Sequence, residues 1–344
     1  MARLTTAFAR FLATRSKALH RVAPGLTTPR YFSSAIAEHL ATRQFAGLFD
    51  FSFMGCVEIA GQSSLAFLNS LQTRALDGLL PGRIAYTLML REDGSVLNDA
   101  TVWNLGHGRY WLYVGRRSDV EFIAGCAADF DVAITDVSTG HAVIAVQGPA
   151  SLRIIERCFA GRRVPDLPYF GFERLDFEGA NCLLARIGYS GESGYELVTT
   201  DTAGADLLRR LLGADHGLAE CGFDAVDTLR IEAGHLLFTR ELACRVSPFE
   251  LGLARLVDFY RGTFRGGRVL QARRWRTHRR LVGLLPARQT NAVQSWSERI
   301  PRGRAVMSST GWSPLYQCWL GLGYVGPRLA YAHAGLQDRG RDRR

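Results

Sequence analysis

Short segments with the apolar spacing of a helix alternate along the chain with short segments that are typical of strands. Apolar residues at 65, 67, 68 and 71 lie near one helical face, which predicts a helix over 63–71. The apolar segments that follow it are separated by glycine-containing turns, and they predict strands over 84–90, 96–103 and 110–114. We therefore expect a meander of strands with a helix beside it.

The rest of the chain continues this mixture. It predicts strands over 132–134, 141–146 and 183–187 and helices over 150–158, 202–212 and 225–237. Because regular strand-helix-strand units are missing, we expect an α+β fold rather than a doubly wound parallel sheet. After an arginine-rich linker at 273–280, strands over 281–285, 303–307 and 321–325 predict a small second domain.

The composition indicates a globular chain with a substantial core. Of the 344 residues, 47% are hydrophobic and 22% are charged, which is ordinary globular usage. No apolar run approaches the roughly 18 residues of a membrane span. The net charge of +10 is concentrated at the ends, since residues 1–37 hold six basic and no acidic side chains. We therefore expect neither a nucleic-acid nor a membrane partner.

Two locations fit the sequence. All but one of the 42 basic residues are arginine, which is typical of a GC-rich genome and favours a bacterial cytoplasmic protein. The basic, acid-free N-terminal segment is also typical of mitochondrial presequences, so the mitochondrial matrix is the alternative. The seven cysteines form no CxxC motif and no cluster with histidine. We expect no disulfide framework and no metal site.

Motifs of the common nucleotide and hydrolase sites are missing, since no GxGxxG follows a strand and no phosphate loop or GxSxG is present. Glycine-rich turns that carry carboxylates stand out instead. Asp99 lies inside the apolar predicted strand 96–103, where a carboxylate is unfavourable unless it is paired or used. Glu196 ends a similar glycine-rich segment. The pattern favours a buried polar site, although carboxylates on an edge strand facing water would produce it too.

These two segments belong to a series of seven that follow one another along the chain: 46–55, 94–99, 145–149, 186–196, 227–234, 247–253 and 311–314. In this order they resemble the glycine-cleavage T-protein (aminomethyltransferase) family of tetrahydrofolate-dependent enzymes. The resemblance implies a multi-lobed folate-binding domain over 29–275, followed by a small C-terminal β-barrel over 276–334. A basic segment, 1–28, would precede them, and a charged tail, 335–344, would follow.

The resemblance also assigns site residues. Asp99 matches the family's key aspartate, beside the nitrogens where the one-carbon unit is exchanged, and a carboxylate there can stabilise positive charge. Glu196 matches the carboxylate that is aimed at the pterin edge, whose adjacent N–H donors suit a bidentate acceptor. The other implied cofactor-binding residues are Met54, Tyr86, Tyr169, Tyr189 and Arg174. His235 is a candidate catalytic acid or base, with a histidine packed at a helix surface as the alternative.

The chain departs from the family pattern at several positions. Phe53 replaces a histidine, Gly115 an asparagine and Val226 an arginine. The missing arginine removes a cation near the cofactor, so either Arg116, Arg117 or Arg174 compensates for it or the ligand differs. The sequence thus indicates a diverged member of the family.

The expected function is transfer of a methyl or methylene group from an amine or methylated donor to tetrahydrofolate, as an aminomethyltransferase or a demethylase. A non-catalytic folate-binding accessory protein and a shortened, impaired relative are the alternatives. An iron-sulfur assembly role is disfavoured, because Thr263 stands where the related subgroup has a cysteine. Expected partners are a small-molecule donor and either a lipoyl carrier protein or a separate flavin subunit.

Overall fold

The computed structural model describes residues 7–23, 26–159, 164, 166–273, 277–285 and 305–327. In chain order, the strands are β1 (Ala18–Ala23), β2 (Leu26–Tyr31), β3 (Gly47–Asp50), β4 (Gly55–Ala60), β5 (Ile84–Leu90), β6 (Val96–Gly106), β7 (Arg109–Val114), β8 (Ala133–Asp136), β9 (His141–Gln147), β10 (Phe172–Phe177), β11 (Ala180–Ala185), β12 (Gly194–Thr200), β13 (Ala219–Glu220), β14 (Arg280–Leu284), β15 (Ala305–Ser313) and β16 (Cys318–Val325). The helices are α1 (Ala7–Arg15), α2 (Ala35–Gln44), α3 (Ser64–Leu71), α4 (Asp119–Gly125), α5 (Ser151–Cys158), α6 (Asp201–Ala214), α7 (Phe223–Ala233) and α8 (Gly267–Ala272), with 3-10 turns at Glu241–Ala243 and Ala254–Leu256.

The described strands form two large sheets and two small ones. The first large sheet has the order β5-β6-β7-β4-β8 and is antiparallel throughout. The second has the order β10-β11-β12-β9-β3-β13, in which β3 and β13 form the parallel pair. The small sheets are the hairpin β1-β2 and the C-terminal sheet β14-β16-β15.

Strand alternation divides the buried side chains into three cores. The inner faces of the two large sheets share the central core, to which β7 contributes Tyr113 and β9 contributes Ala145. Leu112, which points the other way on β7, packs with α3 and α4 in a second core. Ile144, on the outer face of β9, packs with α5 and α6 in a third. The central core is therefore the layer enclosed between the sheets.

The elements predicted from the pattern are present, and the predicted α+β fold is confirmed. The strand predicted over 84–90 is β5, and the predicted helix 150–158 is α5, Ser151–Cys158. The prediction that a helix extends from 225 to 237 is wrong at its end, because Gly234 adopts a left-handed conformation with φ of 73° and terminates α7 at Ala233. His235 therefore follows the helix and is not part of it.

The N-terminal residues pack as part of the folded body. Phe8 and Leu12, one helical turn apart on α1, are buried in the core beneath α6. The predicted boundary after residue 28 falls within β2, which pairs with β1. Although its composition is basic, this segment thus forms an amphipathic helix and a hairpin. The division of the chain into domains otherwise remains a prediction.

The C-terminal sheet packs on α7, where Gly311 of β15 lies against Thr228 and Ile231. Residues 277–285 and 305–327 form this three-stranded sheet, and no closed barrel is found among them. Residues 286–304, part of the predicted linker at 274–276, and the predicted tail 335–344 lie outside the described residues. Within the described part of the chain, no helix has the length and apolar character needed to cross a membrane.

Candidate functional site

Asp99 lies on the inner face of β6 and is partly exposed within the central layer. Tyr86 of the neighbouring strand β5 donates a hydrogen bond of 2.9 Å from its hydroxyl to Asp99 Oδ2. Burial raises the pKa of Asp99, and the Tyr86 hydrogen bond opposes that rise. The Tyr86 hydroxyl and a backbone N–H group thus hydrogen-bond to this carboxyl group, and no described residue forms an ion pair with it.

Tyr189 and His235 form the next part of the site. Their rings stack with centroids 5.7 Å apart, and the Tyr189 hydroxyl donates a hydrogen bond to the Leu236 carbonyl. Burial raises the pKa of Tyr189, and the charge of Asp99 contributes to the rise, which places this tyrosine near Asp99. Burial and the nearby Arg230 lower the pKa of His235, so its imidazole is neutral at neutral pH.

Glu196 lies on β12 and points into the central layer from the second sheet. Its register neighbours on β9 and β11 are Ala145 and Ala185, whose small side chains flank the carboxyl group. The residue is 7% exposed, and no described group hydrogen-bonds to its carboxyl oxygens. Burial raises the pKa of Glu196 to about 8. A buried acid without a partner is unfavourable in a folded chain unless a ligand uses it.

The remaining predicted residues are distributed around these two carboxyl groups. Tyr169 is 57% exposed and lies close enough to Glu196 for that charge to add to the effect of burial in raising its pKa. Met54 packs against the central core at its edge. Arg174 is exposed on the edge strand β10, without a hydrogen bond or ion pair to any described residue. The structure thus brings together Asp99, Tyr86, Tyr189 and His235, and separately Glu196 and Tyr169, but leaves Arg174 at the rim.

The structure accounts for two departures from the family pattern. A Cβ atom at Gly115 would overlap the ring of Phe238, so glycine is required where that ring packs. Phe53 is buried, with edge contacts to the rings of Phe51 and Phe223 at about 6 Å. Aromatic packing therefore replaces polar side chains at this end of the central layer.

Val226 lines a small cavity together with Asp50, which is also buried. Asp50 accepts hydrogen bonds from the Ser52 backbone N–H at 2.8 Å and the Thr28 hydroxyl at 3.4 Å, while burial raises its pKa. None of the three arginines predicted to compensate forms a hydrogen bond or ion pair with Asp50, and Arg174 lies exposed on β10. Arg116 lies over the Phe238 ring, and Arg117 donates to the Ser138 and Met54 carbonyls.

Sequence reasoning missed a buried ion pair beneath the site. Arg230 and Glu241 are both fully buried and lie 2.7 Å apart. Arg230 also donates to the His235 carbonyl at 3.2 Å and to Ser309 of the C-terminal sheet at 2.7 Å. This pair therefore joins the loop that carries His235 to β15. The charge pattern at 227–241 was its only sequence signal, and that pattern equally fits a solvated helix face.

The sequence pattern did not single out Tyr113, a residue on the inner face of β7. Its position in the predicted strand 110–114 alternates with the outward-facing residues 112 and 114, so its direction was accessible from the pattern. Among the described residues, no group of three or more metal-ligating side chains could hold a metal ion. The seven cysteines are free thiols.

The described residues form an α+β protein with two carboxyl groups, Asp99 and Glu196, in the layer between its two large sheets. The family model for the GCVT N-terminal domain matches residues 11–261. The aminomethyltransferase of Moorella thermoacetica is 37% identical over 266 residues, covering 76% of this chain and 72% of its own. That of Streptomyces coelicolor is 33% identical over 332 residues, covering 92% and 88%.

A solved structure, the glycine cleavage system aminomethyltransferase T from Bartonella henselae, superposes with a TM-score of 0.79. It is 21% identical and covers 92% of this chain and 88% of its own length, so it supports the fold alone. The chain belongs to the glycine-cleavage T-protein family. The resemblance predicted from the seven sequence segments is thereby confirmed.

Proposed function

We propose that this chain transfers a methyl or methylene group from an amine or methylated donor to tetrahydrofolate. In this proposal, Glu196 binds the ring of tetrahydrofolate and Asp99 stabilises positive charge during the transfer. The enzyme class and the use of tetrahydrofolate follow from the family to which the chain belongs. The roles of the individual residues are the proposal. The observation that carries it is Glu196, a buried carboxyl group without a hydrogen-bond partner among the described residues.

Side chains from the two sheets suit the polar and apolar parts of tetrahydrofolate. Glu196 can accept two parallel hydrogen bonds from adjacent ring N–H groups, as a carboxylate does from a planar bidentate donor. Ala145 and Ala185 leave space beside it. Tyr86 and Tyr189 supply apolar ring surface against the central core. When bound, tetrahydrofolate supplies the nitrogen atoms that accept the one-carbon group.

Asp99 acts on the other wall of the layer. Tyr86 fixes Oδ2, and the carboxyl group can still accept a hydrogen bond from a ligand N–H group or stabilise positive charge that develops nearby. Removal from water strengthens this electrostatic effect. His235 is neutral and can accept a proton at its ring nitrogen, while its stacked partner Tyr189 is close enough to Asp99 for that charge to add to the rise in the pKa of Tyr189. We assign His235 to proton transfer on the donor side.

The proposed donor is a small methylated or aminomethylated amine. Delivery by a lipoyl carrier protein corresponds to aminomethyl transfer, and coupling to a separate flavin subunit corresponds to oxidative demethylation. The names of the bacterial aminomethyltransferase relatives support the first of these and a bacterial cytoplasmic setting. They also disfavour the alternative of a non-catalytic accessory protein.

Calorimetric titration with tetrahydrofolate tests the proposal on the wild-type chain and on Glu196→Gln and Asp99→Asn. We expect micromolar binding by the wild type, affinity reduced at least tenfold in Glu196→Gln, and retained binding but lost transfer activity in Asp99→Asn. Absence of binding at millimolar tetrahydrofolate by a folded wild-type chain would contradict the proposed function.

A further inference from the structure

Gln147, the last residue of β9, lies against the glycine-rich loop that joins β11 to β12. Its side chain is fully buried, and Gly194 lies opposite it in the register of β9 with β12. A Cβ atom at Gly194 would overlap the amide nitrogen of Gln147, and a Cβ atom at Gly188 would overlap the amide oxygen. Glycine is therefore required at both positions, because the amide of Gln147 occupies the space that a side chain would need.

The Gln147 amide holds this loop with both of its polar atoms. The nitrogen donates to the Ile187 carbonyl at 3.2 Å, and the oxygen accepts from the Ser190 hydroxyl at 2.9 Å. The Ser190 oxygen in turn accepts from the Glu192 backbone N–H at 3.2 Å. These partners fix the orientation of the amide, since a carbonyl can only accept a hydrogen bond. One side chain thus holds the backbone from 187 to 192.

Tyr189 is the residue of this loop whose side chain belongs to the proposed site. Its ring stacks on His235 with centroids 5.7 Å apart and meets the Phe51 ring edge-on at 6.4 Å. Its hydroxyl donates a hydrogen bond to the Leu236 carbonyl. Because the amide of Gln147 binds the backbone before and after Tyr189, a shift of this ring would break a buried hydrogen bond, which is unfavourable.

Other groups hold the same loop, but only after Tyr189. Arg43 donates to the Ser190 carbonyl at 3.0 Å and to the Glu192 carboxylate at 2.9 Å. The Gly148 backbone N–H donates to the Ser193 carbonyl at 2.7 Å. Among these contacts, only those of Gln147 lie on both sides of Tyr189. The interior strand β9 therefore sets the position of the ring through this one amide.

We propose that Gln147 is a positioning residue for the proposed transfer reaction, and that it acts through Tyr189 by fixing the loop that carries this ring. The assignment rests on the proposed use of tetrahydrofolate, since Tyr189 is one of the two rings assigned to that ligand. A ring that is in place before the ligand arrives contributes more affinity than a ring that must be ordered on binding. Gln147 itself does not touch the ligand and belongs to the layer that supports the site.

The test is a double-mutant cycle between Gln147 and Tyr189, measured as the Kd for tetrahydrofolate by calorimetry. Gln147→Met keeps the length of the side chain and removes both polar atoms, and it is made in the wild-type chain and in Tyr189→Ala. Ser190→Ala, which removes only the hydrogen bond to the Gln147 oxygen, is a milder second variant. If Gln147→Met does not fold, the cycle of Ser190→Ala with Tyr189→Ala decides by the same criteria.

Asn104→Leu is the matched control for a loss of stability. Asn104 is also a buried amide that holds backbone, because it donates to the Leu79 carbonyl and accepts from the Gly106 N–H. It follows Trp103, a residue of the central core, and so points to the outer face of β6. Urea denaturation of the ligand-free proteins gives the free energy of unfolding of each variant.

We expect Gln147→Met to raise the Kd about tenfold in the wild-type chain but less than about twofold in Tyr189→Ala, where no ring remains to be positioned. Gln147→Met and Asn104→Leu should both be less stable than wild type, and Asn104→Leu should bind as wild type does. An unchanged Kd of Gln147→Met, or an equal rise in Tyr189→Ala, would overturn the positioning role alone. An equal loss of affinity in Asn104→Leu would also overturn it, because it would trace the effect to stability. A wild-type chain that does not bind tetrahydrofolate would overturn this proposal together with the proposed function.

Discussion

The Tyr86 hydroxyl reaches Asp99 diagonally across the pairing of β5 with β6. In the register, Asp99 lies opposite Leu88 and Tyr86 lies opposite Thr101. The 2.9 Å hydrogen bond therefore joins two side chains on one face of the sheet that are diagonal neighbours, two positions apart in the strand pairing. The strands of a regular sheet therefore set the position of the carboxyl group. A site built on rigid strands holds its groups more accurately than one built on loops.

Replacement of Asp99 by asparagine should abolish most of the transfer activity. The amide keeps the size of the side chain but cannot stabilise positive charge, and charge-stabilising groups of this kind contribute roughly 100-fold to 1,000-fold to kcat. The measurement is kcat and KM for one-carbon transfer. Asp119→Asn is the matched control, because that carboxyl group is contacted by Asn98 from the opposite face of β6. Equal activity of Asp99→Asn and wild type would remove Asp99 from the mechanism.

Replacement of Tyr86 by phenylalanine should shift the pH profile of kcat. The hydrogen bond from Tyr86 lowers the pKa of Asp99 against the effect of burial, so its loss raises that pKa. At any given acidic pH, less of the Asp99 side chain is then ionised. The acidic limb of the profile should therefore move to higher pH in Tyr86→Phe. An acidic limb that stays in place would identify some other group as its origin.

The raised pKa of Glu196 predicts a pH-dependent stability. Its pKa is about 8 in the folded chain against 4.5 ordinarily, so its contribution to stability is fully present below pH 4.5 and is lost as the pH rises through 8. The loss between pH 5 and pH 9 should be on the order of 4 kcal/mol. Urea denaturation of ligand-free wild type and Glu196→Gln measures it. The variant should lose less stability over this interval, and parallel losses would show that Glu196 is solvated.

Tetrahydrofolate binding should release a proton from Glu196. At pH 7 the free protein holds this side chain mostly protonated, because its pKa is about 8. Two ring N–H donors favour the ionised form, so binding lowers the pKa and about one proton leaves per bound molecule. Calorimetry in two buffers of different ionisation enthalpy counts the protons. Asp99→Asn should keep the release and Glu196→Gln should lose it, and a wild-type count of zero would contradict the assigned role of Glu196.

The sequence predicts the first large sheet well because its strands are local. Turns with glycine at 94 and 108 separate short apolar segments, and β5, β6 and β7 follow in order along the chain. The end of α7 was predicted too late because apolar residues continue at 236–238. Leu236, Leu237 and Phe238 pack in the central core although they lie in a loop. Periodicity does not distinguish a helix from a loop that buries the same residues, although Gly234 carried the stop signal.

The site is less accessible from sequence than the fold. Asp99 could be identified because a carboxylate is exceptional inside an apolar strand. Tyr189 is different, because tyrosine is ordinary in such segments and only the fold shows that its ring stacks on His235. Arg230 and Glu241 were equally hidden, since they hydrogen-bond to Ser309 of β15, which lies 79 residues after Arg230 and 68 residues after Glu241. Long-range contacts of this kind leave no local pattern.

The Arg230–Glu241 pair should dominate the stability of the contact between α7 and the C-terminal sheet. Arg230→Met leaves the Glu241 charge buried and unpaired, which should lower the free energy of unfolding by about 3 to 5 kcal/mol. Arg245→Met removes an exposed partner of Asp93 and should cost less than about 1 kcal/mol. Urea denaturation compares them. The double variant Arg230→Met with Glu241→Leu should recover part of the loss, because no charge then remains buried. Similar losses for Arg230→Met and Arg245→Met would show that the buried pair is reached by water and does not hold the sheet in place.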